Sequence, residues 1–164
     1  MTELAAPLTP LPHWTAAELA QATSGTWHPA HNDLSIARIM SNTRLIQPQD
    51  AFLALIGERF DAHNFVADAA KNGATVAIVS RLVPDVSIPQ LLVDDTRLAL
   101  GRLATARRQS FSHLETVALT GSSGKTTTKE MIGSIARAHS SDTEVLVTRG
   151  NLNNDLGVPM MLLE

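Results

Sequence analysis

The 164-residue sequence has no cysteine, no long apolar segment and no excess of positive charge. Without cysteine there can be no disulfides, thiolate zinc sites or cysteine nucleophile, a composition typical of a reducing compartment. Lys and Arg number 13 against 16 Asp and Glu, which gives a formal charge of −3. Such a chain has no broad basic surface to neutralise a nucleic-acid backbone, so we expect no nucleic-acid partner.

Signals for export, membrane insertion and zinc binding are also missing. The longest apolar runs, such as AFLALI (51–56), are far shorter than the roughly 18 residues that indicate a membrane-spanning helix. The start, MTELAAPLTP, has an acid and two prolines where a secretory signal would have basic residues and an apolar stretch. The six histidines show no H-x-x-x-H or H-E-x-x-H spacing. We expect a cytoplasmic protein that does not insert into membranes and has no zinc site.

The first half of the chain has the pattern of a small α/β unit. A capping box at Thr15–Glu18 predicts a short helix that ends near Ala22. Apolar and β-branched runs predict strands over LSIARIM (34–40), AFLALI (51–56) and ATVAIVS (74–80). A helix is predicted over NFVADAAKNG (64–73), opened by Asn64. Residues 1–83 are therefore predicted to form one domain.

Prolines at 84 and 89 mark the connector to a second predicted domain, residues 84–164. Its predicted strands are LLV (91–93), VALT (117–120) and VLVT (145–148). One helix over 97–109 is capped by Asp95 or Thr96, and another follows residue 124 and runs to about His139. Strands that alternate with helices predict an α/β fold with a parallel sheet and right-handed crossovers.

Charged residues around the first of these helices have simple structural interpretations. Asp94 and Asp95 could form a catalytic carboxylate pair, but their position just before a helix favours an N-cap. The four arginines of the helix are predicted to form one solvated face. They are Arg97, Arg102, Arg107 and Arg108.

The stretch TGSSGKTTTKE (120–130) carries the clearest chemistry in the chain. Glycines such as Gly121 and Gly124 allow successive backbone N–H groups to point at an anion, and the following helix adds the positive end of its dipole. A lysine after the second glycine, Lys125, reaches the β- and γ-phosphates of a nucleotide, and the next hydroxyl, that of Thr126, coordinates Mg²⁺. Leu119 occupies the first glycine position of the usual G-x-x-x-x-G-K-[ST] spacing, so the match is partial. The alternative is a glycine turn between a strand and a helix, with serines and threonines as caps.

We predict that this loop binds ATP, with Lys125 as the catalytic residue and Thr126 as the metal ligand. The predicted nucleotide-binding residues are Thr120, Gly121, Ser122, Ser123, Gly124, Lys125, Thr126 and Thr127.

Three stretches together resemble the Mur ligase superfamily. TGSSGKTT resembles its shorter loop, T-G-x-x-G-K-[ST]. SNTRLIQPQDAFLALIGERFDAHNFVADAAKNGA (41–74) is similar to the amino-terminal segment of the family, and TRGNLNNDLGVPMMLL (148–163) is similar to the G-N-x-N-N-x-x-G-x-P stretch of one member. The resemblance runs from about residue 34 to the end.

The resemblance implies an ATP-dependent, amide-forming ligase of peptidoglycan precursor synthesis with ATP and Mg²⁺ as cofactors. The member indicated joins D-alanyl-D-alanine to UDP-N-acetylmuramoyl-tripeptide through an acyl phosphate. The implied fold is a small amino-terminal α/β substrate domain followed by the start of a parallel-sheet P-loop ATPase domain. Family chains have three domains, so we expect these 164 residues alone to lack ligase activity and the complete enzyme to be a monomer. Another Mur-type or folylpolyglutamate-type ligase, and a nucleotide-binding module without turnover, are the alternatives.

Residues of the substrate sites are implied in the same way. Around the UDP-sugar the resemblance places Asn42, Thr43, Arg44, Arg59, Asp61 and His63, and near the bound nucleotide or the acceptor it places Asn151, Asn153 and Asn154. Simpler interpretations are solvated arginines, a helix cap at His63 and Asn64, and a surface turn at GNLNND (150–155).

Three departures from the family pattern lower the nucleotide-sugar affinity that we expect. Asn42 stands in place of the usual Asp, and Gln49 and Ala62 each stand in place of a Gly.

Overall fold

A computed structural model describes residues 13–30, 33–58, 60–140, 145–150, 152 and 154–163. The strands are β1 (Trp14–Thr15), β2 (Thr26–His28), β3 (Ser35–Ile36), β4 (Arg38–Met40), β5 (Asp50–Leu53), β6 (Ile56–Gly57), β7 (Phe60–Asp61), β8 (Val76–Val79) and β9 (Gln90–Leu92). The helices are α1 (Ala16–Thr23), α2 (Val66–Lys71), α3 (Thr96–Ser110), α4 (Lys125–His139) and α5 (Gly157–Leu163), with short 3₁₀ helices η1 (Thr43–Leu45) and η2 (Ala62–Phe65). In the described part of the chain, no helix has both the length and the apolar character needed to cross a bilayer.

Five strands form a mixed sheet in the order β2-β9-β8-β5-β4. Strands β9, β8, β5 and β4 run parallel to one another. β2 pairs antiparallel with β9 and forms one edge of the sheet. The α/β fold with a parallel sheet is therefore confirmed. This sheet contains strands from both sides of the predicted boundary between residues 83 and 84. β9 follows the boundary, and its partners β8 and β2 precede it. The division into two domains remains a prediction.

Helices cover both faces of the sheet. On one face, Leu19 of α1 and Leu103 of α3 belong to the same buried cluster as Ile78. On the other face, Val66 of α2 packs in a cluster with Phe52. A parallel strand buried on both faces is apolar without alternation, which explains the continuous apolar runs at β5 and β8.

Two helix starts follow the predicted local chemistry, and one does not. The capping box is confirmed, with the Glu18 N–H donating to Thr15 Oγ1 at 3.2 Å and the Thr15 N–H donating to Glu18 Oε2 at 2.8 Å. Asp95 caps α3, as its carboxylate accepts from the N–H groups of the next turn. The predicted cap at Asn64 is wrong, because the 3₁₀ turn η2 precedes α2 and is capped by Asp61.

Predicted strands at 117–120 and 145–148 are also wrong, since the structure assigns no strand to either segment. Apolar, β-branched residues favour an extended backbone, but a strand also needs a hydrogen-bonded neighbour, and none pairs with these segments in the described part of the chain. Helix α5 was not predicted from the sequence.

The arginines of α3 do not share one solvated face. Arg107 is only 5% exposed, and its guanidinium carbon lies 4.2 Å from the centre of the Trp14 ring. It falls on the buried stripe of α3 because it follows Leu100 by seven residues and Leu103 by four. Arg102 instead forms an ion pair with Asp94 at 2.8 Å.

Candidate functional site

The glycine loop opens helix α4 with an unusual backbone conformation. Gly124 is the N-cap residue and has φ 76°, a left-handed conformation that residues with a Cβ rarely adopt. A Cβ at this position would meet no atom within 4 Å, so the requirement for glycine is conformational rather than steric. The first turn follows directly, with the Thr128 N–H donating to the Gly124 carbonyl at 2.9 Å.

This geometry leaves backbone donors for an anion. The amides of Lys125, Thr126 and Thr127 lie in the first turn of α4, where no preceding turn supplies acceptors. The cap residue is glycine and has no side chain to accept from these amides. The Lys125 ammonium donates to the Gly121 carbonyl, so its positive charge lies over the loop. Free amides at a helix start, the helix dipole and a nearby lysine are groups that can hold a phosphate.

The described residues of this loop, 120–127, offer a magnesium ion hydroxyl oxygens but no carboxylate. The Thr126 hydroxyl is an oxygen donor of the kind that Mg²⁺ prefers. Among the described residues, no group of three or more His, Asp or Glu could hold a metal ion. A Mg²⁺ at Thr126 would therefore take its other ligands from nucleotide phosphates and water, as it commonly does.

A cleft of about 430 Å³ lies beside the loop. It is lined by Lys125, Thr126 and Lys129 of α4 and by apolar and polar residues of the segments 114–119 and 146–150. Charged residues Arg108 and Glu115 also line it. The Lys129 ammonium donates to the Thr148 carbonyl, which ties α4 to the second segment. Gly133 also lets α4 lie close to this segment, because a Cβ there would be only 2.7 Å from Val147.

The asparagine-rich stretch after this segment is only partly visible. Asn151 and Asn153 lie outside the described residues. Asn154 caps α5, since its Oδ1 accepts from the Gly157 N–H at 2.7 Å. Asp155 pairs with Arg97, so this turn is held against the start of α3.

Two of the predicted UDP-sugar segments follow neighbouring strands of the parallel sheet. The first follows β4, where Asn42 Oδ1 accepts from the Arg44 N–H at 3.0 Å and so caps η1. The Thr43 carbonyl accepts from Asn72 Nδ2 at 3.0 Å, which ties this turn to the end of α2. The second follows β5 and contains Asp61 and His63. Arg59 lies outside the described residues.

His63 links the second segment to the end of β8. Its side chain is fully buried, and its Nδ1 lies 2.6 Å from Asp61 Oδ1. Nε2 accepts from the Ser80 N–H at 2.9 Å, so the ring hydrogen lies on Nδ1 and is donated to Asp61. The second oxygen of Asp61 pairs with Arg81 Nη2 at 2.5 Å. The Arg81 guanidinium, assisted by the His63 N–H, holds the pKa of the Asp61 carboxyl far below its usual range.

Sequence reasoning missed Ser80 and Arg81. Their signal was available, because they lie at and just after the end of a predicted strand, and ligands of open α/β sheets bind beyond the carboxyl ends of the strands.

The structure explains the three departures from the family pattern. Asn42 caps η1, and Asn is as good a cap as Asp. Ala62 is buried and does not have a positive φ. Gln49 has φ 72°, a conformation that suits the usual glycine and strains any side chain with a Cβ. Only the change at Gln49 thus carries a conformational cost.

Comparisons with known proteins show which proteins this chain is similar to. Residues 119–164 match the Mur ligase middle domain. The UDP-N-acetylmuramoyl-tripeptide:D-alanyl-D-alanine ligase of Haemophilus influenzae is 46% identical over 132 residues, 80% of this chain and 29% of the relative. The same ligase of Escherichia coli is 46% identical over 149 residues, 91% of this chain and 31% of the relative.

Solved structures show the same resemblance. A crystal structure of MurF from Acinetobacter baumannii has a TM-score of 0.87 and 58% identity, and covers 95% of this chain and 34% of that chain. The MurF ligase of Thermotoga maritima in complex with ADP has a TM-score of 0.64 and 33% identity, and covers 77% of this chain and 28% of that chain. The chain thus spans about a third of the length of these relatives. In sequence and in fold, this protein is similar to that portion of a Mur ligase of the MurF type.

Proposed function

We propose that this chain provides the UDP-sugar and ATP phosphate sites of an ATP-dependent ligase of peptidoglycan precursor synthesis. The ligase would join D-alanyl-D-alanine to UDP-N-acetylmuramoyl-tripeptide. The observation that carries the proposal is the loop at Gly124, whose left-handed conformation opens α4 beside Lys125, in a chain similar to MurF ligases.

The chemistry requires an activated carboxylate. The γ-phosphoryl group of ATP would pass to the terminal carboxylate of the tripeptide, giving an acyl phosphate and ADP. The amine of D-alanyl-D-alanine would then attack the acyl carbon and release phosphate. Such transfers depend on positioning and charge neutralisation, which the loop amides and Lys125 can supply. Mg²⁺ bound at Thr126 would neutralise further negative charge. The similar MurF ligase of Thermotoga maritima was solved in complex with ADP, which supports nucleotide binding.

The substrate residues form the second part of the proposal. The segments around Asn42–Arg44 and Asp61–His63 would surround the uridine nucleotide, as the sequence resemblance implies. Asp61 and His63 also lie beyond the carboxyl ends of β5 and β8, where ligands of open α/β sheets bind. Arg59, Asn151, Asn153 and Asn154 are proposed to contribute from the sequence resemblance.

Calorimetric titration of the chain with UDP-N-acetylmuramoyl-tripeptide, UDP and ATP with Mg²⁺ tests the proposed sites separately. We expect the tripeptide nucleotide to bind more tightly than UDP, since it adds contacts beyond the nucleotide. A chain that is folded by circular dichroism and binds neither uridine nucleotide would contradict the proposed substrate site. ATP binding without uridine binding would favour a nucleotide-binding module.

The Lys125→Ala variant tests the phosphate role in a complete ligase that carries this chain. We expect acyl-phosphate formation, trapped with hydroxylamine, to be lost while the UDP-sugar still binds. Lys71→Ala is the matched control, because Lys71 is 76% exposed on α2 and pairs only with Asp68 in the described structure. Acyl-phosphate formation at an unchanged rate in Lys125→Ala would remove the phosphate role from this loop.

A further inference from the structure

Two segments meet where β5 and β8 end. They are the segment at Asp61–His63 and the pair Ser80–Arg81, and hydrogen bonds of His63 and Arg81 join them. Because β5 and β8 are neighbouring parallel strands, their carboxyl ends lie side by side. This edge of a parallel sheet is where ligands bind. Arg81 is the charged residue of this edge that neither the sequence motifs nor the comparisons single out.

The side chains of Asp61 and His63 already form hydrogen bonds within the protein. Asp61 accepts three hydrogen bonds, from the His63 N–H at 2.9 Å, from His63 Nδ1 at 2.6 Å and from Arg81 at 2.5 Å. His63 is buried and uses both ring nitrogens. These two side chains therefore serve as support for their neighbours rather than as direct contacts for a ligand.

Arg81, in contrast, is exposed and has hydrogen-bond donors left over. Its side chain is 54% exposed, and the bond from Nη2 to Asp61 Oδ2 is the one partner that the described structure gives it. A guanidinium has five N–H donors, so several remain for a second anion. The planar fork matches the two oxygens of a phosphate. Asp61, fixed by His63, restricts the orientation of this fork.

We propose that Arg81 binds the diphosphate group of the uridine nucleotide, with Asp61 and His63 as positioning residues that hold its guanidinium. The proposal rests on the proposed function, since it names a contact within the same substrate site.

The test compares ligands that differ only in phosphate. The chain and its variants are titrated with uridine, UMP and UDP, by calorimetry for the tighter ligands and by ligand-observed NMR for the weaker ones. A charge-assisted hydrogen bond contributes about 1.5–3 kcal/mol. We therefore expect Arg81→Gln to lower the affinity for UDP about tenfold or more, while uridine binds as in the unaltered chain. Arg81→Lys should retain part of the affinity, because it keeps the charge without the fork.

Arg102→Gln is the matched control. Arg102 also forms an ion pair with an aspartate, at 2.8 Å from Asp94, but it lies on α3. Its loss should leave the affinity for all three ligands unchanged. Asp61→Asn should weaken UDP binding more than uridine binding, which a merely structural role would not do.

The outcomes separate the two proposals. If the unaltered chain binds UDP and Arg81→Gln binds it equally well, the inference is wrong and the proposed function stands. An equal loss for uridine and UDP in Arg81→Gln would show a structural effect and also contradict the phosphate contact. Unchanged or tighter UDP binding in Asp61→Asn would contradict the positioning role. A folded chain that binds no uridine ligand would overturn the proposed substrate site and this inference together.

Discussion

Replacing Gln49 with glycine should stabilise this protein. Gln49 has φ 72°, which places its Cβ against its own backbone. Its side chain is exposed, and the structure gives it no hydrogen bond among the described residues. The bonds that hold the turn are made by its backbone, to Thr75 Oγ1 at 3.1 Å and from the Ala37 N–H at 2.8 Å. Glycine keeps both.

Two opposing terms set the size of the effect. A left-handed conformation costs a residue with a Cβ about 1–2 kcal/mol. Glycine loses more backbone freedom on folding, which costs about 0.5–1 kcal/mol. The difference predicts a gain of about 1 kcal/mol for Gln49→Gly. For a chain of this length, such a gain raises the melting temperature by about 2–4 °C.

Thermal and urea unfolding followed by circular dichroism measure this gain. Gln49→Ala is the first control: it removes the side chain but keeps the Cβ, so its stability should stay within about 0.5 kcal/mol of the original. Gln47→Gly is the second, because Gln47 is also exposed but does not have a positive φ, and glycine there should destabilise. A Gln49→Gly variant no more stable than Gln49→Ala would refute the reasoning.

Three further predictions concern buried and paired charges. His63→Ala should lower the free energy of unfolding by about 2–4 kcal/mol, because it leaves buried polar partners unsatisfied; a loss below 1 kcal/mol in urea unfolding would contradict this. Since Arg81 lowers the pKa of Asp61 in the folded state, the stability that Asp61 adds over Asp61→Asn should be complete above about pH 4 and be lost as the pH falls further; a difference that does not change with pH would be the contrary result. Arg107→Met should stay within about 1 kcal/mol of the original stability, because burial lowers the pKa of the guanidinium and its Nε and Nη2 have no hydrogen-bond partner among the described residues. A loss above about 2 kcal/mol in thermal unfolding would show that the contact with Trp14 outweighs that cost.

Features encoded within a few residues were predictable from the sequence. The capping box at Thr15–Glu18, the Asp95 cap and the start of α4 after Gly124 each depend on neighbours three or four positions away. Local chemistry of this kind does not change with the surrounding fold. The α/β class followed from the same patterns.

Contacts between distant residues decided the features that sequence reasoning missed. β9 belongs to the five-stranded sheet because β8 and β2 both pair with it, and β2 is more than 60 residues earlier in the chain. Residues 117–120 and 145–148 form no strand because a ladder needs a partner, and none pairs with them among the described residues. Arg107 is buried because Trp14 covers it.

The candidate site also has one part set by neighbouring residues and one part set by contacts between distant residues. By itself the sequence determined the phosphate loop, since glycine dihedrals, a helix start and a lysine lie within five consecutive residues, 121–125. Only the tertiary structure revealed the cluster at the carboxyl edge of the sheet. Residues 61, 63 and 81 meet there because parallel pairing places the ends of β5 and β8 side by side. That pairing changes Asp61 from an apparent ligand contact into the support of Arg81. Hydrogen bonds across strands, which no spacing in the sequence reveals, assign these residues their roles.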